Sequence, residues 1–394
     1  MKLLLVTCRK IDQRGGENAL IMGRQEALHK IYGIDTDIIF IHKDNDNENS
    51  PYPGIRFLKS TKDNVYDIIE RLINTEEYQG IISSGFYDKK FNDFVKKLKE
   101  KHSIVYITDI HATIREIYEY CIPDLYHILG TRYLYLIKKM NFKDTIKSAD
   151  YAFVVSDEEI KEVKSFCPNN KLRFIKVYCG AYDDIDRATY FTTRKKIREK
   201  FEFSKSTLAF VYSGSTDRWQ KFDETLELFN RIHTIYKDSK FAFYMNLDSE
   251  AKKKVNSVLG KDNVIVRWVD PDEMKNELTA FDCGVLLRDD RWTNRVAFPN
   301  KFSDYVCCGL GLVLSKSLRE PYKLARKYNI ELLDLDNLEK SLNDLCEQRT
   351  SCLDEYIDKC EKLVHEELNY NTQVRNRAKD LLASLQKNTG DIDG

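Results

Sequence analysis

The sequence has no surplus of charge, no long apolar run and no paired-cysteine motif, and each absence removes a class of function. Lys plus Arg total 63 and Asp plus Glu total 63. The bulk attraction of a basic protein for nucleic acid is therefore missing, and nucleic acid is not an expected partner. No stretch of eighteen consecutive apolar residues occurs, which argues against a transmembrane helix. The opening Met1-Lys-Leu-Leu-Leu-Val6 is apolar, but Cys8, Arg9, Lys10 and Asp12 follow at once. It reads as a first strand and not as a secretion signal. The ten cysteines include no CxxC pair, and most sit in apolar segments as small core residues do. That usage fits a reducing cytoplasm and predicts no metal site. Pro-rich linkers and low-complexity tracts are absent too. What remains is a globular composition, 42% apolar and 32% charged over 394 residues, too long for one ordinary core.

Short apolar runs alternate with helical patterns along the whole chain. Strands are predicted at 2–7, 36–41, 80–83, 104–108, 151–155 and 172–178, with helices between them at 19–32, 64–73, 91–102 and 157–166. From Arg187 to Ser206 the chain turns polar and basic, and then the alternation resumes. Further strands are predicted at 208–213, 241–246, 264–269, 284–287, 311–314 and 330–333, and helices at 223–236, 249–259, 272–280 and 337–348. Repeated β-α-β alternation predicts parallel, doubly wound sheets, so the expected class is α/β with two Rossmann-like domains. Residues 1–187 and 188–370 are the expected domains. In such sheets ligands bind outside the carboxyl ends of strands.

Several constellations fall just after predicted strands. The segment 288–315 carries Arg288, Arg291, Asn294, Arg295 and Lys301, then Asp304, at the opening of a short helix between two strands. Cations and helix N-terminal N–H groups suit phosphates, and an Asp can accept from two ribose hydroxyls. A solvated charged loop is the plainer alternative. The stretch Tyr212-Ser-Gly-Ser-Thr-Asp-Arg-Trp-Gln-Lys221 follows a strand. Gly214 and Ser215 would let backbone approach a phosphate, with Arg218 and Lys221 adding charge, although the Walker spacing is absent and an ordinary turn fits as well. Asp109 and His111 end another strand, where a histidine can orient a hydroxyl or move a proton; a capping Asp and a structural His is the alternative. Gly15 and Gly16 permit a tight loop after the first strand but do not form GxGxxG. Arg132-Tyr-Leu-Tyr-Leu-Ile-Lys-Lys139 is basic and aromatic. It reads as an amphipathic core helix or as a peripheral contact with an anionic membrane.

These residues together resemble glycosyltransferases of the GT-B fold, especially the retaining family four and bacterial capsular and exopolysaccharide enzymes. The resemblance rests on Asp109-Ile-His-Ala112 with Glu116, Ser148–Ser156, Val211–Ser215 with Trp219 and Lys221, Tyr178-Cys-Gly180 with Asp183, and Asn294 through Ser315. It implies two Rossmann-like domains facing across a cleft, with a C-terminal helix and tail, residues 371–394, crossing back to the N-terminal domain. It implies a nucleotide-diphosphate sugar as donor, UDP-linked by preference and GDP-linked as second choice, with no cofactor and no metal. The diphosphate is expected on Gly214, Lys221, Arg288 and Lys301, with Ser215, Arg218 and Asn294 nearby. Asp304 is expected on the ribose, and Val269 and Asp270 at the base. His111, Asp109, Lys221 and Lys301 are the expected catalytic set. The acceptor, a glycan or a polyprenyl-linked sugar, is expected near Gly15, Gly16, His111 and Glu116, on a cytoplasmic protein at or near the inner membrane face. The chain departs from the family pattern at Val296, where the first of two glutamates stands, at Ala112 and at Gly311. A nucleotide-sugar epimerase of the same fold and a non-catalytic partner subunit stay open as alternatives.

Overall fold

A computed structural model describes residues 1–8, 18–41, 52–61, 64–85, 88–120 and 125–390. The chain divides into two compact units, one formed by Met1–Tyr182 together with the stretch from Tyr370 onward, the other by Asp183–Asn369.

Among the described residues the first unit has seven strands: β1 (Lys2–Thr7), β2 (Asp35–Ile41), β3 (Ile55–Ser60), β4 (Gly80–Ser84), β5 (Val105–Asp109), β6 (Tyr151–Val154) and β7 (Arg173–Lys176). Their order is β3-β2-β1-β4-β5-β6-β7, and every pairing is parallel. The sheet reverses its winding between β1 and β4. Helices on both faces explain why β1, β4, β5 and β6 are buried almost throughout rather than alternating. Strand β3 is absent from the sequence reading, because Ile55-Arg-Phe-Leu-Lys-Ser60 carries two cations and borders the sheet.

The second unit has five parallel strands: β8 (Leu208–Ser213), β9 (Ser239–Tyr244), β10 (Val264–Arg267), β11 (Cys283–Leu286) and β12 (Gly311–Leu314). Their order is β10-β9-β8-β11-β12, so the winding reverses between β8 and β11. Phe210, Phe229, Phe241 and Phe243 pack in its core, the Phe229 and Phe241 rings 4.7 Å apart. The strand expected at 330–333 reduces to a single bridge between Leu312 and Leu332. The basic stretch after Asp186 is a helix, Arg187–Lys200. Its Arg194 donates to the carbonyls of Thr279 and Phe281 at 2.6 and 2.9 Å, and both Arg194 and Arg198 pair with the buried Asp282. These cations fasten the amino ends of the strands. They lie on the edge opposite the loops described below.

The C-terminal segment returns to the first unit, as expected. Tyr32 donates from its hydroxyl to the carbonyl of Arg375 at 3.0 Å, and Tyr151 to that of Asp380 at 2.8 Å. The amide N–H of Tyr178 donates to Gln373 Oε1 at 2.6 Å. The docking is close at Gly23, where an added Cβ would stand 2.1 Å from the Tyr370 ring. The helix Asn18–Tyr32 therefore accepts the C-terminal segment only through a glycine. Gly23→Ala is expected to cost roughly 1–3 kcal/mol as an overpacking change, read as a lower urea midpoint with the slope unchanged.

Candidate functional site

In the second unit the residues singled out from the sequence converge on the switch between β8 and β11. Gly214 directly follows β8, and Arg288 follows β11 with one residue, Leu287, between. Both stand at carboxyl ends, where an open α/β sheet leaves room for a ligand. The helix Asn300–Cys307 begins beside them and carries Lys301 and Asp304. Its position is fixed by Tyr305. The Tyr305 hydroxyl accepts from the Ser213 amide N–H at 3.1 Å and lies 3.0 Å from Ser213 Oγ. A Cβ on Gly284, in the middle of β11, would stand 2.2 Å from the Tyr305 ring. The glycine is thus the gap through which the helix locks to β8.

Two cations meet over this junction. Gln220 Oε1 accepts from Arg288 Nη2 at 2.7 Å and from Lys301 Nζ at 3.2 Å. Lys301 Nζ would also lie 3.2 Å from a Cβ on Gly214, so the bare loop backbone and the ammonium face each other. The loop is held by Tyr212, whose hydroxyl donates to the carbonyl of Ser215 at 2.7 Å and reaches that of Gln220 at 3.2 Å. Ser215 Oγ bonds Asp217. Burial, then the nearby Arg288, pulls the Lys301 ammonium down to about 7, against the opposing pull of Asp304 and Asp217. The Asp304 carboxyl is pushed up to about 6 by loss of solvation, partly offset by Lys301 and Lys275. The Asp304 side chain itself is open to water.

The other expected donor residues are arranged differently. Lys221 sits in the left-handed region at φ 56° and precedes the helix Phe222–Ile235. Its ammonium bonds Glu224 at 2.7 Å and Asp289 at 2.6 Å, which hold it above the usual lysine range. An anion reaching Lys221 must compete with both carboxylates. Asn294 is buried and donates to the Asp289 carbonyl at 2.9 Å. Arg295 pairs with Asp290, and Arg218 is exposed on a short 3-10 turn. Val269 is buried, while the Asp270 side chain accepts from the Asp272 N–H at 2.9 Å and caps the helix Pro271–Leu278. Trp268, beside them at the carboxyl end of β10, is 56% exposed. Val296 is a core residue at 1% exposure and offers no polar group where the family pattern has a glutamate.

In the first unit, Asp109 ends β5 and is fully buried. Arg24 grips it with two bonds of 2.7 Å and stacks over the Phe153 ring at 4.0 Å. Burial pushes the Asp109 carboxyl up, but Arg24 and His111 outweigh it and hold the group below the usual carboxylate range. His111 follows, with Nδ1 3.5 Å from Asp109 Oδ1 and Nε2 3.4 Å from Ser84 Oγ. Thr113 and Arg115 anchor the loop on the buried Glu162. A cavity of about 300 Å³ opens here, lined by Gly85, His111, Thr113, Glu116, Ile117 and Lys138. Asp109 is therefore placed to orient His111, which is partly exposed and borders the cavity. Gly15 and Gly16 lie outside the described residues.

The sequence reading missed Gln220, Tyr305 and Arg24. Gly284 inside an apolar strand was a usable sign of close approach. Nothing local marks Gln220, or links Arg24 to a residue 85 positions away.

No family model matches the sequence, and no curated protein matches it. Solved structures do. HepE from Anabaena, in complex with UDP, superposes with a TM-score of 0.64 at 10% identity, over 97% of this chain and 100% of that one. An α,α-trehalose-phosphate synthase (UDP-forming) from Burkholderia xenovorans, in complex with glucose-6-phosphate, gives 0.64 at 10% identity, over 98% and 100%. A trehalose-6-phosphate protein from E. coli bound with UDP-2-fluoro glucose gives 0.61 at 11%, over 97% and 99%. The chain has the GT-B fold. At these identities the likeness establishes the fold alone.

The depressed Lys301 ammonium has a consequence for stability. Its folded value lies below that of the unfolded chain, so between about 7 and the usual lysine range the unfolded chain holds the extra proton. Lys301 therefore destabilises most below pH 7, and stability recovers as pH rises. Lys301→Met is expected to unfold at higher urea than the wild type at pH 6, with the gap narrowing steadily as pH rises to 9.5.

Proposed function

We propose that the protein is a glycosyltransferase that moves a sugar from a nucleotide-diphosphate sugar, UDP-linked by preference, to a glycan or lipid-linked acceptor in bacterial surface polysaccharide synthesis. The observation that carries the reading is the Arg288–Lys301 pair held over Gly214 at the β8–β11 switch. Two cations on one neutral acceptor beside open backbone suit a pyrophosphate. Asp304, one turn further and open to solvent, suits the ribose hydroxyls. Val269 and Asp270, with Trp268 exposed beside them, suit the base. The solved structures of the same fold that hold UDP or a UDP-sugar support a UDP-linked donor.

In the proposed reaction an acceptor hydroxyl attacks the anomeric carbon, and the bond from that carbon to the diphosphate oxygen breaks. The electron pair stays on the diphosphate. Lys301 and Arg288 stabilise that charge in place before it forms, which is the most effective electrostatic arrangement. A metal ion is then not required for that role. Lys221 joins them once a ligand draws it from Glu224 and Asp289. His111, oriented by Asp109 and Arg24, positions the acceptor hydroxyl and receives its proton. Val296 supplies no carboxylate, so the standard contact of retaining enzymes to the sugar is not assigned.

Lys301→Ala is expected to lower transfer from the donor by about 10²–10³-fold, the effect of removing one preorganised donor group. A panel of UDP, GDP, ADP and CMP should show which base is preferred. A nucleotide at 100 times its dissociation constant adds about 2.7 kcal/mol of stability, visible as a raised melting temperature. Undiminished transfer by Lys301→Ala sinks the donor assignment. Epimer formation from donor alone favours an epimerase, and donor binding without turnover across acceptors favours a non-catalytic subunit.

A further inference from the structure

The helix Leu125–Ser148 is unlike the others in the first unit. Its second half is anchored: Phe142, Thr145 and Ile146 are buried. No residue from Leu129 to Asn141 is buried. Within that stretch Leu129 is 59% exposed, Tyr133 69%, Leu136 56%, Ile137 38% and Met140 70%. These positions follow i, i+4, i+7, i+8 and i+11, so they form one apolar stripe along one face. Single exposed apolar residues need no explanation, but a contiguous large stripe marks a binding surface.

The charge around the stripe indicates what covers it. The helix carries Arg132, Lys138, Lys139, Lys143 and Lys147 against one acid, Asp144. Asp144 is turned to protein, 3.2 Å from Lys96 and 3.2 Å from Asn92. At 100° per residue, Arg132, Lys139 and Lys143 run along one flank of the stripe and Lys147 continues its line. Apolar side chains bordered by cations, with a tyrosine among them, match the boundary between acyl chains and anionic headgroups.

We propose that this helix docks the protein on an anionic lipid surface, with Leu129, Tyr133, Leu136, Ile137 and Met140 inserted and the flanking cations on the headgroups. Lys138 lies on the opposite side of the same helix and lines the His111 cavity. Docking therefore sets that cavity one helix thickness from the membrane. If the transferase reading holds, the acceptor is an amphiphile whose polar head enters the cavity while its tail stays in the bilayer; the docking itself does not depend on that reading.

Co-sedimentation of the full chain with vesicles tests the docking, without nucleotide or acceptor. Phosphatidylcholine vesicles containing phosphatidylglycerol should bind at least about tenfold more tightly than pure phosphatidylcholine vesicles, and salt should weaken the difference. Leu136→Asp with Met140→Asp should abolish binding while leaving the melting temperature unchanged, because both side chains are exposed. Should that variant fold poorly, Arg132→Glu with Lys147→Glu, both exposed, serves instead, and it should erase the preference for anionic lipid. The proposal is overturned if the wild type ignores anionic vesicles at low salt, or if the apolar-to-Asp variant binds them equally. It is also overturned if the stripe instead pairs two copies, seen as a dimer that the same variant splits. UDP binding is unaffected by any of these outcomes and is read separately.

Discussion

The arrangement of the second unit turns on holding two like charges close together. Arg288 and Lys301 share Gln220 Oε1, and proximity of that kind is unfavourable until an anion arrives. Burial first, and the Arg288 charge second, lower the Lys301 ammonium to about 7. The guanidinium does not titrate, so the lysine is the adjustable partner. The cost of placing both there is borne by the rest of the sheet. Tyr305 passes Gly284 to bond Ser213, which fixes the helix that carries Lys301. On the far edge, Asp282 gathers Arg194 and Arg198 and closes the amino ends of the same strands.

The first unit uses the opposite device. Asp109 is buried, and its charge is answered chiefly by the Arg24 fork and then by His111, the partly exposed member. A buried pair of this kind is a poor source of net stability, but removing one partner leaves an uncompensated charge. Its use is geometric: it holds the end of β5, and hence His111, in one orientation. The Tyr370 ring packed against Gly23 gives the unit a second constraint of the same sort, this time steric.

Much of this was legible in the sequence because parallel strands buried on both faces are continuous apolar runs. Residues 2–7, 208–213 and 311–314 were read with the bounds the structure gives. β3 was not, since its two cations break the run. The basic segment after Asp186 was read as a polar boundary; it is a helix because its arginines find carbonyls and a carboxylate some 85 residues away, which no local pattern reveals. At the candidate site, residues following strands were legible and their partners were not. Lys301, Arg288 and Gly214 were expected together and lie together. Lys221, expected with them, bonds Glu224 and Asp289 in this structure. Gln220, which joins the pair, is an ordinary polar residue in sequence. The segment 132–139 left a core helix and a membrane contact both open, because periodicity shows that a face is apolar and not whether anything covers it.

Under the proposed donor assignment, the Arg288–Lys301 pair takes a diphosphate, and Lys301, lowered to about 7, gains a proton as it does so. Calorimetric titration of UDP at pH 8, in buffers of different ionisation enthalpy, tests it most directly. Lys301 is then mostly neutral in the free protein, whereas a bound diphosphate favours the ammonium, so binding should take up about one proton. The observed enthalpy should vary with the buffer for the wild type and cease to vary for Lys301→Ala. A buffer-independent enthalpy for the wild type, or an equal dependence in both proteins, would contradict the account.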